Sequence, residues 1–277
     1  MQTKHSLTLV LGASGKTGRR IISRLEERGV PVREGSRSGE PSFQWEDRST
    51  WAPSLTDVAT VYISYYPDLT VPSAPGDIAA FTKLAKEMGI TKVVLLSGRG
   101  EEEAQKCEQI VQECGIDWTI VRCAWFNQNF SENFIRDMIM DGIVALPAGT
   151  VREPFVDTDD IADVAVVALT DEKHNGQLYE LTGPRMLTFS KATNEISKAT
   201  GRDIKYIEIP GEAFVNGLKE EQLPVDIAEL LEYLFITVLD GRNEYLTDGV
   251  RKALGREPKD FADYAKQATR EGYWNTN

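Results

Sequence analysis

Gly12, Gly15 and Gly18 stand at the spacing Gly-x-x-Gly-x-x-Gly, between the end of an apolar run and the start of a helical pattern. That arrangement suits the binding of a nucleotide's phosphates. Gly12 allows a sharp exit from a buried strand, Gly15 lets the backbone approach a pyrophosphate, and Gly18 lets the following helix pack closely on its strand. The first turn of that helix adds backbone N–H groups and a partial positive charge. Ser14, Lys16 and Thr17 complete the candidate turn. A Gly-rich turn of purely structural use has the same spacing, so the surrounding elements must decide between the two.

The run from Leu7 to Gly12 is continuous and apolar, as a parallel strand covered on both faces should be. Residues 16–28 place Ile21, Ile22 and Leu25 on one helix face, Gly29 ends that helix, and a second strand pattern covers residues 30–35. Strand, glycine turn, helix and strand in this order form the context that a dinucleotide site requires.

Further along, residues 42–45 read as a short strand and 51–57 as a short helix. Residues 60–66 are β-branched and aromatic, hence a strand. An amphipathic helix over 77–88, a buried strand over 92–97, a helix over 102–113 and a strand over 117–123 continue the alternation. These lengths predict an α/β fold, a Rossmann-type doubly wound parallel sheet with helices on both faces. The rhythm then loosens. Helices are expected over 129–140, 159–170, 190–200, 225–239 and 261–270, and extended segments over 144–147, 154–156, 177–182 and 205–209. Carboxylates from Asp157 to Asp160 suit the N-terminus of the 159–170 helix. We therefore expect a dinucleotide-binding domain over residues 1–150. A smaller, mostly helical substrate-binding lobe is expected over 151–277, partly interleaved with the first domain, at the carboxyl edge of the sheet where such folds bind ligands.

The 277 residues carry a net charge of −12, which argues against broad binding to nucleic acid or a membrane surface. Lys16, Arg19, Arg20, Arg33 and Arg37 nevertheless cluster early in an acidic chain and could serve an anionic cofactor; ordinary surface charge is the other reading. No apolar run reaches membrane-spanning length and no secretory leader pattern opens the chain, so a cytoplasmic protein is expected. Cys107, Cys114 and Cys123 lack metal-ligand spacing and read as reduced packing residues. With His5 and His174 the only histidines, no metal site is expected.

Several motifs, in order, resemble the NmrA-like group of atypical short-chain dehydrogenase/reductases. They are Gly12-Ala13-Ser14-Gly15-Lys16-Thr17-Gly18, Ser36-Arg37 and Val94-Leu95-Leu96-Ser97. Gly115-Ile116-Asp117-Trp118-Thr119-Ile120-Val121-Arg122, Trp125-Phe126-Asn127-Gln128-Asn129-Phe130 and Phe155-Val156-Asp157-Thr158-Asp159-Asp160-Ile161-Ala162 continue the series. Within the group the chain is most similar to bacterial NAD(P)H-binding oxidoreductases and to fungal ergot-alkaloid dehydrogenases, which reduce an iminium.

The resemblance implies a nicotinamide dinucleotide. NAD-specific sites hold an acidic residue after the second strand, on the ribose 2′-hydroxyl. In the family register that position is Ser36, followed by Arg37, a pair that suits a 2′-phosphate and hence NADPH. Glu34 leaves NADH open: if the strand ended two residues early, Glu34 would take the ribose. Trp45 falls where the family passes the adenine, or else packs on the first helix. Tyr65 and Tyr66 fall where the family passes the ribose, or else cover the sheet edge. Ser97 and Gly98 complete the cofactor set.

Short-chain dehydrogenases commonly pair a Tyr and a Lys, and many NmrA-like reductases keep only the Lys. Registered on Glu108, the Lys position here is Ala104, and Lys106 lies about 200° around the helix from it. The usual proton donor is missing, and no catalytic residue is assigned. Ser97, Arg99, Glu101, Trp125, Phe126, Asn127 and Phe130 are candidates for an aromatic-walled acceptor pocket, with the core reading open for Trp125 and Phe126; Glu101–Glu103 reads as a solvated helix start, with a catalytic Glu101 the lesser alternative. The function expected is NADPH-dependent hydride transfer to a small organic acceptor (an imine or iminium, quinone, enone or carbonyl) by a monomer or homodimer. The alternative is a non-catalytic NADP(H) sensor acting through a protein partner, and a cofactor-using isomerase or epimerase stands third.

Overall fold

A computed structural model describes residues 6–221 and 223–275; His5 lies outside them. In chain order the first elements are β1 (Leu7–Leu11), α1 (Gly18–Glu27), β2 (Val32–Gly35), α2 (Trp51–Leu55) and β3 (Val58–Ile63). Next come α3 (Ala74–Glu87), β4 (Lys92–Gly98), α4 (Glu102–Glu113), β5 (Asp117–Cys123), α5 (Phe134–Met140), β6 (Ile143–Leu146) and β7 (Arg152–Glu153). Then follow α6 (Thr158–Thr170), β8 (Gln177–Leu181), β9 (Leu187–Thr188), α7 (Phe189–Thr200) and β10 (Lys205–Glu208). The last are α8 (Gly211–Glu220), α9 (Val225–Glu232), α10 (Gly249–Leu254) and α11 (Phe261–Arg270).

Two compact units divide these elements. The first lies within Met1–Cys123, Thr158–Glu180 and Gly249–Gly255. Its sheet runs β2-β1-β3-β4-β5-β8, and β1 pairs in parallel with β2 on one side and β3 on the other. The chain therefore leaves β1 in one direction and returns to its other side, which makes the β1/β3 junction the topological switch point. Both faces are covered, as the expected Rossmann-type architecture requires. Leu9 and Leu11 join α2, α3 and α4 through Trp51, Leu55, Ile78, Phe81, Ala104 and Val111. On the other side α6 packs on β3, β4 and β5 and against α1 and α10. Arg24 of α1 ties to Asp163 at 2.7 Å and Asp159 at 2.9 Å of α6.

The second unit lies within Ala124–Asp157, Leu181–Asp248 and Arg256–Asn277. Parallel β6 and β10, antiparallel β7 and β9, and helices α5, α7 and α11 surround a core rich in phenylalanine: Phe130, Phe155, Phe189, Phe235 and Phe261.

Four expectations change. Residues 42–45 are not a strand, because side chains satisfy their backbone locally: Gln44 N–H donates to Thr50 Oγ1 at 3.0 Å, and its carbonyl accepts from Trp51 Nε1 at 2.9 Å. The strand read over 60–66 ends at Ile63, leaving Tyr65 and Tyr66 in the following loop. The helix over 129–140 is split, because Asn133 caps the shorter α5 by accepting from Phe134 N–H at 2.8 Å. The helix over 225–239 converts after Glu232 to a π-helical turn over Tyr233–Val238.

Candidate functional site

The glycine turn sits where β1 meets the switch point. Gly12 has φ +68°, and a side chain there would meet Ser64 Cβ, just beyond β3, at 3.1 Å. The Gly12 carbonyl accepts from Gly15 N–H at 2.9 Å, and a Cβ on Gly15 would stand 3.1 Å from the same oxygen. A Cβ on Gly18 would overlap that oxygen and lie 2.8 Å from the carbonyl carbon. The three glycines thus fold the turn tightly around one carbonyl, so that α1 starts immediately above β1. Thr17 is buried and accepts the Tyr62 hydroxyl at 3.0 Å, which anchors the turn to β3. Ser14 and Gly15 are exposed at the apex. This is the cradle that a pyrophosphate needs, and the residues fit that group.

β2 extends through Gly35, which pairs with Leu11, while Glu34 stays within the strand opposite Val10. Gly12 N–H donates to the Gly35 carbonyl at 3.0 Å, so Ser36 and Arg37 emerge level with the glycine turn. The loop closes on Ser36, whose carbonyl accepts from Phe43 N–H at 2.8 Å and Gly39 N–H at 3.1 Å. Arg37 is exposed, its guanidinium 5.7 Å from the centre of the Tyr66 ring. Of the other basic candidates, Arg33 donates to the carbonyls of Ser54 and Thr56, and Arg20 pairs with Asp159 at 3.3 Å. Both serve packing.

Trp45 is 6% exposed within a cluster of Phe43, Trp51, Tyr65 and Phe81, and its indole N–H donates to the Ser64 carbonyl at 3.2 Å. It packs toward α3, not the first helix. Tyr65 donates to Asp77 at 2.8 Å, and burial pushes its hydroxyl pKa up.

A buried polar network lies at the carboxyl ends of β4 and β5. The Ser97 hydroxyl donates to Glu108 Oε1 at 2.6 Å, and Arg122 Nε donates to the same oxygen at 2.9 Å. Glu180 joins Arg122 at 3.3 Å to Arg99 at 2.8 Å. Arg99 is 3% exposed, so its role here is to clamp β8. Beside the network lies the Glu101 carboxyl, packed against Gly98 where a glycine side chain would otherwise stand. Burial, with Asp68 and Glu108 nearby, holds its pKa well above the ordinary carboxyl range. Asp68, in the loop after β3, is raised by burial as well. Glu101, read from sequence as a pocket candidate or a solvated helix start, is thus enclosed, and Asp68 carried no sequence signal. The stripe 101, 104, 108, at helical spacing on α4, was the available clue.

In the second unit, Trp125 and Phe126 are partly exposed, with the Trp125 ring 4.9 Å from Phe235 and 5.5 Å from Phe189. Asn127 and Phe130 are fully buried; the Asn127 amide donates to Asp157 at 3.4 Å.

Comparison with known proteins places this geometry. The profile of the NmrA-like family matches residues 102–273. The chain belongs to the NmrA-like family. Full-length relatives agree. It is 30% identical to prestalk A differentiation protein A of Dictyostelium discoideum over 96% of this chain and 93% of that one. It is 30% identical to an uncharacterised oxidoreductase, YesF, of Bacillus subtilis, covering 99% and 98%. Agroclavine dehydrogenase of Claviceps fusiformis is 29% identical, covering 92% and 95%. The fold matches that of the Citrobacter sp. triphenylmethane reductase solved with NADP(H), with a TM-score of 0.75 at 19% identity, covering 95% and 99%. Against this NmrA-like background the position read as the family lysine is Ala104, fully buried in the core, while Lys106 points outward to Glu103 at 2.5 Å.

Proposed function

We propose that this NmrA-like protein is an NADPH-dependent reductase of a small organic acceptor. The observation that carries the proposal is the glycine cradle at the switch point, with Ser36 and Arg37 level with it. When bound, NADPH supplies a hydride. The exposed apex of the turn at Ser14 and Gly15 and the first turn of α1 hold the pyrophosphate. Ser36 and Arg37 hold the 2′-phosphate by charge-assisted hydrogen bonds, a place where a carboxylate would repel it. The extension of β2 through Gly35 supports Ser36 and Arg37 over Glu34 as the residues that meet the ribose. Tyr66, Ser97 and Gly98 flank the rest of the nucleotide, and Trp45 and Tyr65 support that wall from beneath. We assign the second unit to the acceptor, through the partly exposed rings of Trp125 and Phe126, with Asn127 and Phe130 holding them from the core.

The relatives named as an oxidoreductase and a dehydrogenase over nearly their whole length support hydride transfer. We place the activity in the cytoplasm, which suits three free cysteines; among the described residues no helix is long and apolar enough to cross a membrane. The test is NADPH consumption, with NADH as control, over quinones, enones, aldehydes and cyclic imines. Turnover with one class is expected. The absence of a lysine at position 104 favours a second reading, an NADP(H) sensor with a protein partner. Tight binding that discriminates oxidised from reduced cofactor, without turnover on any acceptor, would establish that reading instead.

A further inference from the structure

We infer that Glu101 is the proton donor of the reduction, and that the acceptor is therefore a neutral carbonyl, enone or quinone; the inference rests on the reductase reading above. Two-electron reduction of such an acceptor needs a hydride and a proton, whereas an iminium cation needs the hydride alone. The position read as the family lysine is a buried alanine on α4, and Glu101 lies one helical turn before it. Glu101 is the N-cap of α4, and with Ala104 and Glu108 it forms a buried stripe at spacing i, i+3, i+7.

Three features set this carboxyl apart from a structural one. It is 8% exposed, at the carboxyl end of β4. Among the described residues its side chain takes part in no hydrogen bond or ion pair. Its place is made by Gly98, because any side chain there would occupy the same space. Gly98 ends β4 and belongs to the proposed cofactor wall. The titratable and charged groups around it are Asp68 from the loop after β3, Glu108 from α4 and Cys123 at the end of β5; Arg99 also acts on Cys123. Glu108 is already neutralised by Arg122, and Arg99 is engaged by Glu180. Among the described residues no cation pairs with Glu101, and the neighbouring acids oppose its ionisation. Its pKa is thereby held well above the ordinary carboxyl range, which favours the neutral acid that a proton donor must be.

In the step proposed, the Glu101 O–H bond breaks as an O–H bond forms on the acceptor oxygen. The electron pair arrives as hydride on the acceptor carbon, from the reduced nicotinamide. The resulting carboxylate regains its proton from solvent.

The test compares the full-length wild type with Glu101→Gln and Glu101→Asp by stopped-flow hydride transfer, NADPH titration and infrared carboxyl titration. Glu101→Gln should leave NADPH affinity intact and slow transfer to a quinone or enone by about 100-fold or more. Transfer to a preformed cyclic iminium salt should be unchanged. Glu101→Asp, which keeps the acid, should retain part of the rate and its pH dependence. The infrared difference between wild type and either variant should show a protonated carboxyl persisting at neutral pH. Wild-type turnover of a neutral acceptor with Glu101→Gln equally fast, or a Glu101 band already ionised at neutral pH, would overturn the inference alone. NADPH binding without wild-type turnover on any acceptor would overturn the reductase reading and the inference with it.

Discussion

Replacing Arg37 with Ala tests the cofactor assignment most directly. A charge-assisted hydrogen bond from a guanidinium to phosphate is worth about 1.5–3 kcal/mol. To reach the phosphate, Arg37 gives up its contact with the Tyr66 ring, worth about 0.5–1 kcal/mol at an exposed site. The net is about 0.5–2.5 kcal/mol, or roughly a 2- to 60-fold loss of NADPH affinity. NADH, without the phosphate, should barely respond. Both constants can be read by fluorescence titration. The discrimination should shrink in 1 M salt, where the screening length falls from about 10 Å at 0.1 M to about 3 Å. Arg37→Lys should fall between, keeping the charge but losing the planar fork. Glu34→Ala should change neither affinity, because Glu34 sits within β2 opposite Val10. Equal losses of NADPH and NADH in Arg37→Ala, or a selective loss of NADH in Glu34→Ala, would refute the assignment.

Two other perturbations probe the first unit. Gly18→Ala sets a methyl group on the Gly12 carbonyl, and overpacking of this kind costs about 1–3 kcal/mol. Alanine is the better helix former by about 1 kcal/mol, so a net gain in the denaturation midpoint would show that the contact relaxes; loss of both stability and NADPH binding is expected. His174 is buried, its Nδ1 2.8 Å from the Tyr179 hydroxyl, and burial lowers its pKa. The unfolded chain then binds the proton more readily, so this contribution to stability is present above the ordinary histidine pKa of about 6.5 and is lost as pH falls below it. Denaturant midpoints of the wild type should decline over that range more steeply than those of His174→Gln; parallel curves would exclude the histidine as the cause.

The β1–turn–α1 unit was legible because its signals are local. A continuous apolar strand, three glycines and one helix face lie within a short span, and each constrains the same geometry. Ser36 and Arg37 could be located only up to the end of β2, since alternation puts Glu34 and Ser36 on one face. In the structure β2 pairs with β1 as far as Gly35, opposite Leu11. The burial of Arg99 was not legible for a different reason: its partner Glu180 is 81 positions away on another strand.

Glu101 shows where composition leaves two readings open. Three successive glutamates at a helix start read as a solvated, dipole-stabilised turn, and Glu102 and Glu103 behave so, at the surface. The helical period turns the first of the three inward, onto the stripe that carries Ala104 and Glu108, and Gly98 leaves the space that receives it. A carboxyl so placed costs stability at neutral pH unless it keeps its proton. A buried acid with no side-chain hydrogen bond or ion pair among the described residues, one turn from the position the family register gives to lysine, is what a reductase with alanine there would need.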